Sequence, residues 1–160
     1  MIKITVITVG KIKEKYFTDA IKEYSKRLSR YCKLEIIEVA DEKTPDGASE
    51  AIEEQIRKKE GERIIKHIRE GMFVVALAID GKMRDSVEFA NYIDKLAVSG
   101  NGNIAFIIGG SLGLSKEVMA ISNEQISFSK MTFPHQLMRV ILLEQVYRGF
   151  RIIANEPYHK

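Results

Sequence analysis

Three short stretches of this 160-residue chain gather side chains able to do chemistry. The first is Asn155-Glu156-Pro157-Tyr158-His159-Lys160, which sets an aromatic ring, an imidazole, an ammonium and a carboxylate within a few residues. A base could stack on Tyr158, His159 could take a proton, and Lys160 could steady an anion. Chain ends commonly fray, so the alternative is a disordered tail. The second is Gly109-Gly110-Ser111-Leu112-Gly113, a glycine turn between an apolar run and a helix, where an α/β domain presents backbone amides to a ligand. It lacks the spacing of a dinucleotide fingerprint and the Lys-Ser/Thr pair of a P-loop. It does fit Gly-x-Ser-x-Gly, with Ser111 as nucleophile and His135 or His159 as base. Against a hydrolase, 160 residues is short, and Glu117, Glu124, Glu144 and Glu156 have no distinguishing context as the third member. The third stretch is Ser127-Phe128-Ser129-Lys130-Met131-Thr132-Phe133-Pro134-His135-Gln136, whose apolar side chains and free backbone groups could hold an adenine ring. As an alternative, Phe128, Met131 and Phe133 are core plugs. No His-Glu-x-x-His or comparable ligand set occurs, so no metal is expected. Cys32 stands alone, which excludes an intramolecular disulfide, and His67 sits in a charged helix and reads as surface.

The elements that must position these stretches follow from periodicity. Five short apolar, β-branched runs, at 2–9, 34–39, 73–79, 104–108 and 126–128, read as strands. Their near-continuous apolarity, as in Phe73-Val74-Val75-Ala76-Leu77-Ala78-Ile79, suits a sheet covered on both faces. Between them lie a basic amphipathic helix over 15–30, with Tyr16, Phe17, Ala20, Ile21, Tyr24 and Leu28 on one side, and a helix over 50–69 capped by Ser49. The second helix would bury Ile52, Ile56, Ile64, Ile65 and Ile68. A third helix, about 86–98, follows Asp85, and a short one follows Ser115. Alternating strands and helices predict one α/β domain over 1–160, with a mainly parallel sheet flanked by helices.

Composition sets the class. Hydrophobic residues make up 45% and charged ones 29%, enough apolar surface for a core and too much for disorder. No apolar run reaches the ~20 residues of a membrane span, and Met1 leads directly into a strand, so a cytoplasmic location is expected. The net charge of +3 is unevenly placed. Residues 1–33 carry nine Lys/Arg against three acids, residues 34–129 eleven against seventeen, and residues 130–160 five against two. If the fold joins the two basic ends, they form a positive face suited to a polyanion.

The last helix, from His135 to Ile153, is apolar around most of its axis. The sheet of so small a domain covers one side, which predicts a homodimer through the other; the alternative is a helix threaded through the core.

Val9-Gly10-Lys11, Ile108-Gly109-Gly110, the run from Phe128 to Arg139, Glu144-Gln145-Val146-Tyr147-Arg148 and Tyr158-His159-Lys160 together resemble one family, the ribosomal RNA large-subunit methyltransferase H family, small members of the SPOUT class. The similarity spans residues 1 to 160. It implies a carboxyl-terminal trefoil knot, against the general rule that chains do not thread loops, and S-adenosylmethionine bound in that knot. By carry-over, the cofactor would contact Leu77, Gly109, Phe128, Ser129, Lys130, Met131, Thr132 and Phe133. Catalysis would fall to His159, Tyr158, Lys160 and Arg148, with the N3 proton of a pseudouridine passing to His159, to a water or to the terminal carboxylate. The implied substrate is 23S ribosomal RNA in the assembled 70S ribosome, modified at the subunit interface by a homodimer whose site draws on both protomers, with no role for DNA or a membrane. The basic helix at 15–30, led by Lys11, Lys13 and Lys15, would rest on RNA backbone. A hydrolase using Ser111 and a noncatalytic ribosome-binding factor are the alternative functions.

Overall fold

A computed structural model describes residues 1–160. Its chain order is β1 (Ile2–Val9), α1 (Lys15–Leu28), β2 (Cys32–Val39), α2 (Glu50–Ile65), β3 (Phe73–Met83), α3 (Ser86–Val98), β4 (Asn103–Ile108), α4 (Lys116–Ile121), β5 (Glu124–Ser127) and α5 (His135–Ile153). The strands form one parallel sheet in the order β2-β1-β4-β3-β5, as the alternating pattern predicts. Side chains alternate between its faces with the period of two that a strand imposes. Ile4, Val6, Phe106 and Ile108 point to the side of α1, α3 and α5, while Ile7, Val9 and Ile107 point to the side of α2 and α4. Both faces are covered, which is why β1 and β4 read as continuous apolar runs.

Local chemistry starts the helices where the sequence places them. The Ser49 hydroxyl accepts the Ile52 N–H at 3.3 Å, Asp85 and Glu88 form a reciprocal capping box, and the Ser115 hydroxyl accepts the Val118 N–H at 3.2 Å. Several boundaries differ from expectation: β2 begins at Cys32, β4 at Asn103, and β5 spans Glu124–Ser127. Helix α2 stops at Ile65 and leaves Ile52 43% exposed, so the buried stripe is shorter than the isoleucine spacing implies. Helix α1 ends at Leu28, with Tyr16 exposed. Strand β3 continues past Ile79 to Met83 through a bulge between Leu77 and Lys82. There Gly81 lies so close to β5 that a Cβ would fall 2.6 Å from the Ile126 carbonyl carbon, so this glycine marks a close approach and not a turn.

Helix α5 has more cover within one protomer than the sheet alone provides. Helix α5 rests on the sheet and is flanked by α1 on one side and α3 on the other. Gly149 makes the second contact close, its Cα side facing Ala90 of α3. These neighbours bury Leu142, Leu143, Val146 and Phe150 and take Met138 and Tyr147 against them. Leu137, Val140, Ile141, Ile152 and Ile153 stand outside that core and keep part of their surface open, so one protomer accounts for only part of the apolar girth. No helix is long and apolar enough to cross a membrane.

Candidate active site

A cleft of about 560 Å³ opens at the carboxyl ends of β3, β4 and β5, the edge where parallel sheets bind ligands. Its walls are the end of β3 (Leu77–Ile79), the glycine turn (109–114), the loop after β5 (127–133, without Lys130) and the first turn of α5 at His135 and Met138. Arg57 of α2 closes one side. Of the eight residues expected to touch the cofactor, Leu77, Gly109, Phe128, Ser129, Met131, Thr132 and Phe133 line this cleft. Lys130 is exposed and does not.

The glycine turn folds tightly on itself. The Gly113 N–H donates to the Gly110 carbonyl at 3.0 Å, and Gly113 takes a left-handed φ of 81°. A Cβ on Gly109 would lie 2.9 Å from the Gly113 carbonyl carbon, closer than side chains tolerate. Beneath it lies a carboxyl that sequence reading missed. Glu60 is 5% exposed, accepts the Glu42 N–H at 3.0 Å, and lies where a Cβ on Gly110 would come within 3.2 Å of Oε1. Burial pushes the Glu60 carboxyl above its ordinary pKa.

The opposite wall is pinned by its own hydroxyls. The Ser127 hydroxyl donates to the Ser129 carbonyl, and the Met131 N–H donates to the Ser129 hydroxyl, both at 2.9 Å. Phe128 is half-buried and meets Phe89 edge to face at 5.6 Å, so it serves both core and cleft. Met131 is 73% exposed and plugs no core.

Ser111 stands exposed on a strand-to-helix turn but lacks the base and the strained backbone of a hydrolase nucleophile: it makes no side-chain hydrogen bond to a histidine, and Asn155 alone among non-glycine residues has positive φ. His135 faces Gly10 and Asp41 instead. Burial lowers its pKa, Arg139 lowers it further and Asp41 partly opposes. Arg139, one turn on, is 2% exposed; it pairs with Glu38 at 2.5 Å and donates to the Gly10 carbonyl at 2.6 Å. These bonds fasten the start of α5 to the ends of β1 and β2.

At the other end of α5 the tail is docked, not frayed. The Tyr31 hydroxyl donates to Glu156 at 2.9 Å, and Arg151 donates to Glu156 at 2.6 Å and to the Pro157 carbonyl at 2.7 Å. Tyr158 packs edge to face on Tyr147 with centroids 4.9 Å apart, and the Arg148 guanidinium lies 4.7 Å over its ring. Arg148 Nη1 stands 3.1 Å from His159 Nδ1, while Glu144 accepts from Arg148 Nε and Nη2 at 2.8 and 2.6 Å. Lys160 is exposed. Burial, and then Tyr158 and Glu144, push the Tyr24 phenol up. The structure thus brings Tyr158, His159 and Arg148 together, with Glu144, Tyr24 and Tyr147 as partners that sequence reading did not assign.

Basic α1 packs along α5, and Arg27 sits 5.5 and 5.6 Å over the rings of Tyr24 and Tyr147. The two basic ends of the chain are thus brought side by side, with Arg139 buried on Glu38 and Arg148 and Arg151 paired with Glu144 and Glu156. The cleft and the tail do not converge within one protomer. Arg148 lies thirteen residues beyond His135 on one continuous helix, a separation of about 20 Å. No three His, Cys, Asp or Glu side chains cluster as a metal site requires.

The model of the family described as "Predicted SPOUT methyltransferase" matches residues 2–159. A ribosomal RNA large subunit methyltransferase H from Clostridium beijerinckii is 68% identical over 98% of this chain and 99% of its own. The proteins of that name from Clostridium tetani and Bifidobacterium adolescentis are 61% and 63% identical, over 98% and 99% of this chain and 99% of each relative. With an α/β sheet of parallel strands, a glycine-floored cleft at its carboxyl edge and relatives this close along the whole length, the chain belongs to the SPOUT methyltransferases, in the ribosomal RNA large subunit methyltransferase H family.

Proposed function

We propose that the protein transfers a methyl group from S-adenosylmethionine to N3 of a pseudouridine in 23S ribosomal RNA. It acts on the assembled 70S ribosome, as a homodimer in which the cleft of one protomer works with the tail of its partner. The observation that carries this reading is the gathering of Leu77, Gly109 and the loop from Phe128 to Phe133 around one cleft.

The cleft suits the donor in size and chemistry. Its volume falls within the range of small-molecule sites, its walls offer apolar side chains for an adenine ring, and the bare backbone at Gly109 and Gly110 lets a ligand approach the main chain. When bound, S-adenosylmethionine supplies an electrophilic methyl: the N3–C bond forms as the C–S bond breaks, the electron pair stays on sulfur, and the N3 proton passes to water. The protein's share is alignment and charge. Tyr158 stacks the base, while Arg148 and Lys160 offset the negative charge that the ring oxygens gain as the N3 proton leaves. The trefoil knot belongs to the same reading. In its support, residues 128–134 carry the chain from the edge strand β5 to the end of β1, where α5 begins against Gly10.

The tail is about 20 Å from the mouth of its own cleft, and the helix between them is too firmly packed to fold back. A second protomer that offers its tail to the cleft resolves this separation. The basic side chains of α1, which packs along α5, then lie beside the composite site and hold RNA phosphates without reading sequence.

The test is transfer of labelled methyl from S-adenosylmethionine to ribosomes lacking the modification, beside separated subunits and naked RNA, with the product nucleoside identified by mass spectrometry. Methylated pseudouridine from assembled ribosomes alone is the expected product. Donor binding without transfer to any of these would leave the cleft reading in place and remove the substrate.

A further inference from the structure

The contact between His159 and Arg148 fixes which imidazole nitrogen carries the proton. A guanidinium has five N–H donors, no acceptor, and stays charged, so at 3.1 Å from Arg148 Nη1 the His159 Nδ1 is the acceptor. A neutral imidazole whose Nδ1 lone pair is engaged carries its proton on Nε2. That nitrogen then has no lone pair with which to take a second proton; it has an N–H to give.

Arg148 is held so that it makes this contact. Glu144, one turn earlier on α5 and 18% exposed, accepts from Nε and Nη2 and leaves Nη1 for His159. The guanidinium plane is braced by the Tyr158 ring at 4.7 Å, and that ring is braced by Tyr147. A planar fork clamped on one edge and one face has little freedom in where its remaining edge points.

The geometry points to Glu144 as a positioning residue: it sets the Arg148 fork so that His159 is held as the Nε2–H tautomer and donates a hydrogen bond to a ring oxygen of the target base. His159 would then stabilise the anion formed at N3, and water would take the proton, a role opposite to the one expected from residue type alone. The inference rests on the methyl-transfer reading above, but part of its test needs no turnover. In long-range nitrogen–proton spectra of protein labelled in its imidazoles, with His159 assigned by its loss in His159→Gln, the proton should sit on Nε2 alone. A proton on Nδ1 overturns the assignment even if ribosomes are methylated. Absence of transfer by the unaltered protein would instead sink the function.

Turnover then separates donor from base. His159→Gln keeps an N–H donor and loses basicity; its kcat should stay within about tenfold of the parent while His159→Ala falls about a hundredfold. Equal collapse of both overturns the donor role. Glu144→Gln should lower kcat about tenfold with KM, donor affinity and Tm unchanged, and Glu144→Asp should recover part of the loss. Unchanged kcat, or a matching loss of donor affinity, overturns the positioning role. Should Glu144→Gln fail to fold, Glu144→Asp and the wild-type tautomer still decide.

Discussion

Arg139 is a cation sealed inside an apolar helix, and the sequence around it gives little sign of that. Its partner Glu38 lies about a hundred residues earlier on β2, and its other acceptor is the carbonyl of Gly10, so the pairing exists only once the sheet has brought these ends together. Glu60 was equally hidden: a glutamate amid the charged residues of α2 reads as solvated surface until the glycine turn lands on it. By contrast Tyr158, His159 and the glycines stood out, because their chemistry is written in residue type. His135, beside Arg139, carries a prediction. Burial and the neighbouring guanidinium hold its pKa below the 6.5 of an unfolded chain. As pH falls through 6.5 the unfolded state therefore binds more protons than the folded one, and this contribution to stability, full above 6.5, is lost on acidification. Glu60, shifted upward, acts in the opposite sense nearer its own range and is common to both proteins compared. Urea melts should show the stability difference between the parent and His135→Gln changing in the parent's disfavour below pH 6.5; a difference independent of pH would refute the shift.

Strand and helix identities were legible from periodicity, since β1 and α5 begin and end where apolar pattern and proline place them. What the pattern missed was the end of β3: its apolar run stops at Ile79, while the strand continues to Met83 past Gly81, a glycine required by close strand approach. The same distinction divides the glycine turn. Gly109 is required by contact, because a Cβ meets the Gly113 backbone, whereas Gly113 has open space around it and is required only by its φ of 81°. Gly113→Ala should therefore lose about 1–2 kcal/mol of stability through left-handed strain while keeping the shape of the cleft. Gly109→Ala should force the turn apart, with about 1–3 kcal/mol lost and S-adenosylmethionine affinity reduced more than about tenfold. Calorimetric titration beside thermal unfolding distinguishes them. Equal affinities in the two variants would mean that the turn does not floor the donor site.

At the scale of the whole molecule, the packing of α5 governs both where the charge lies and how much apolar surface is covered. The two basic ends are adjacent because α1 packs along α5, where Arg139, Arg148 and Arg151 are each paired with a glutamate and α1 carries the cations that are more exposed. The girth of α5 is only partly spent inside one protomer: the sheet and two flanking helices cover Leu142, Leu143, Val146 and Phe150 and leave Leu137, Val140, Ile141 and Ile152 half-covered. The distance between cleft and tail calls for the tail of a second protomer, and complementation tests this directly. One protomer carries Gly109→Val, which blocks its cleft and keeps its tail; the other carries Tyr158→Ala with His159→Ala, which removes the tail and keeps the cleft. Each variant alone makes a dimer with no working site. Co-expressed with different affinity tags and purified through both, the mixed dimer has one intact cleft facing one intact tail, because a two-fold interface is reciprocal. It should regain about half the parent's methyl transfer per dimer. If each protomer closed its own site, the mixed dimer would be as inactive as its parents, and if the protein were a monomer nothing would survive the second tag.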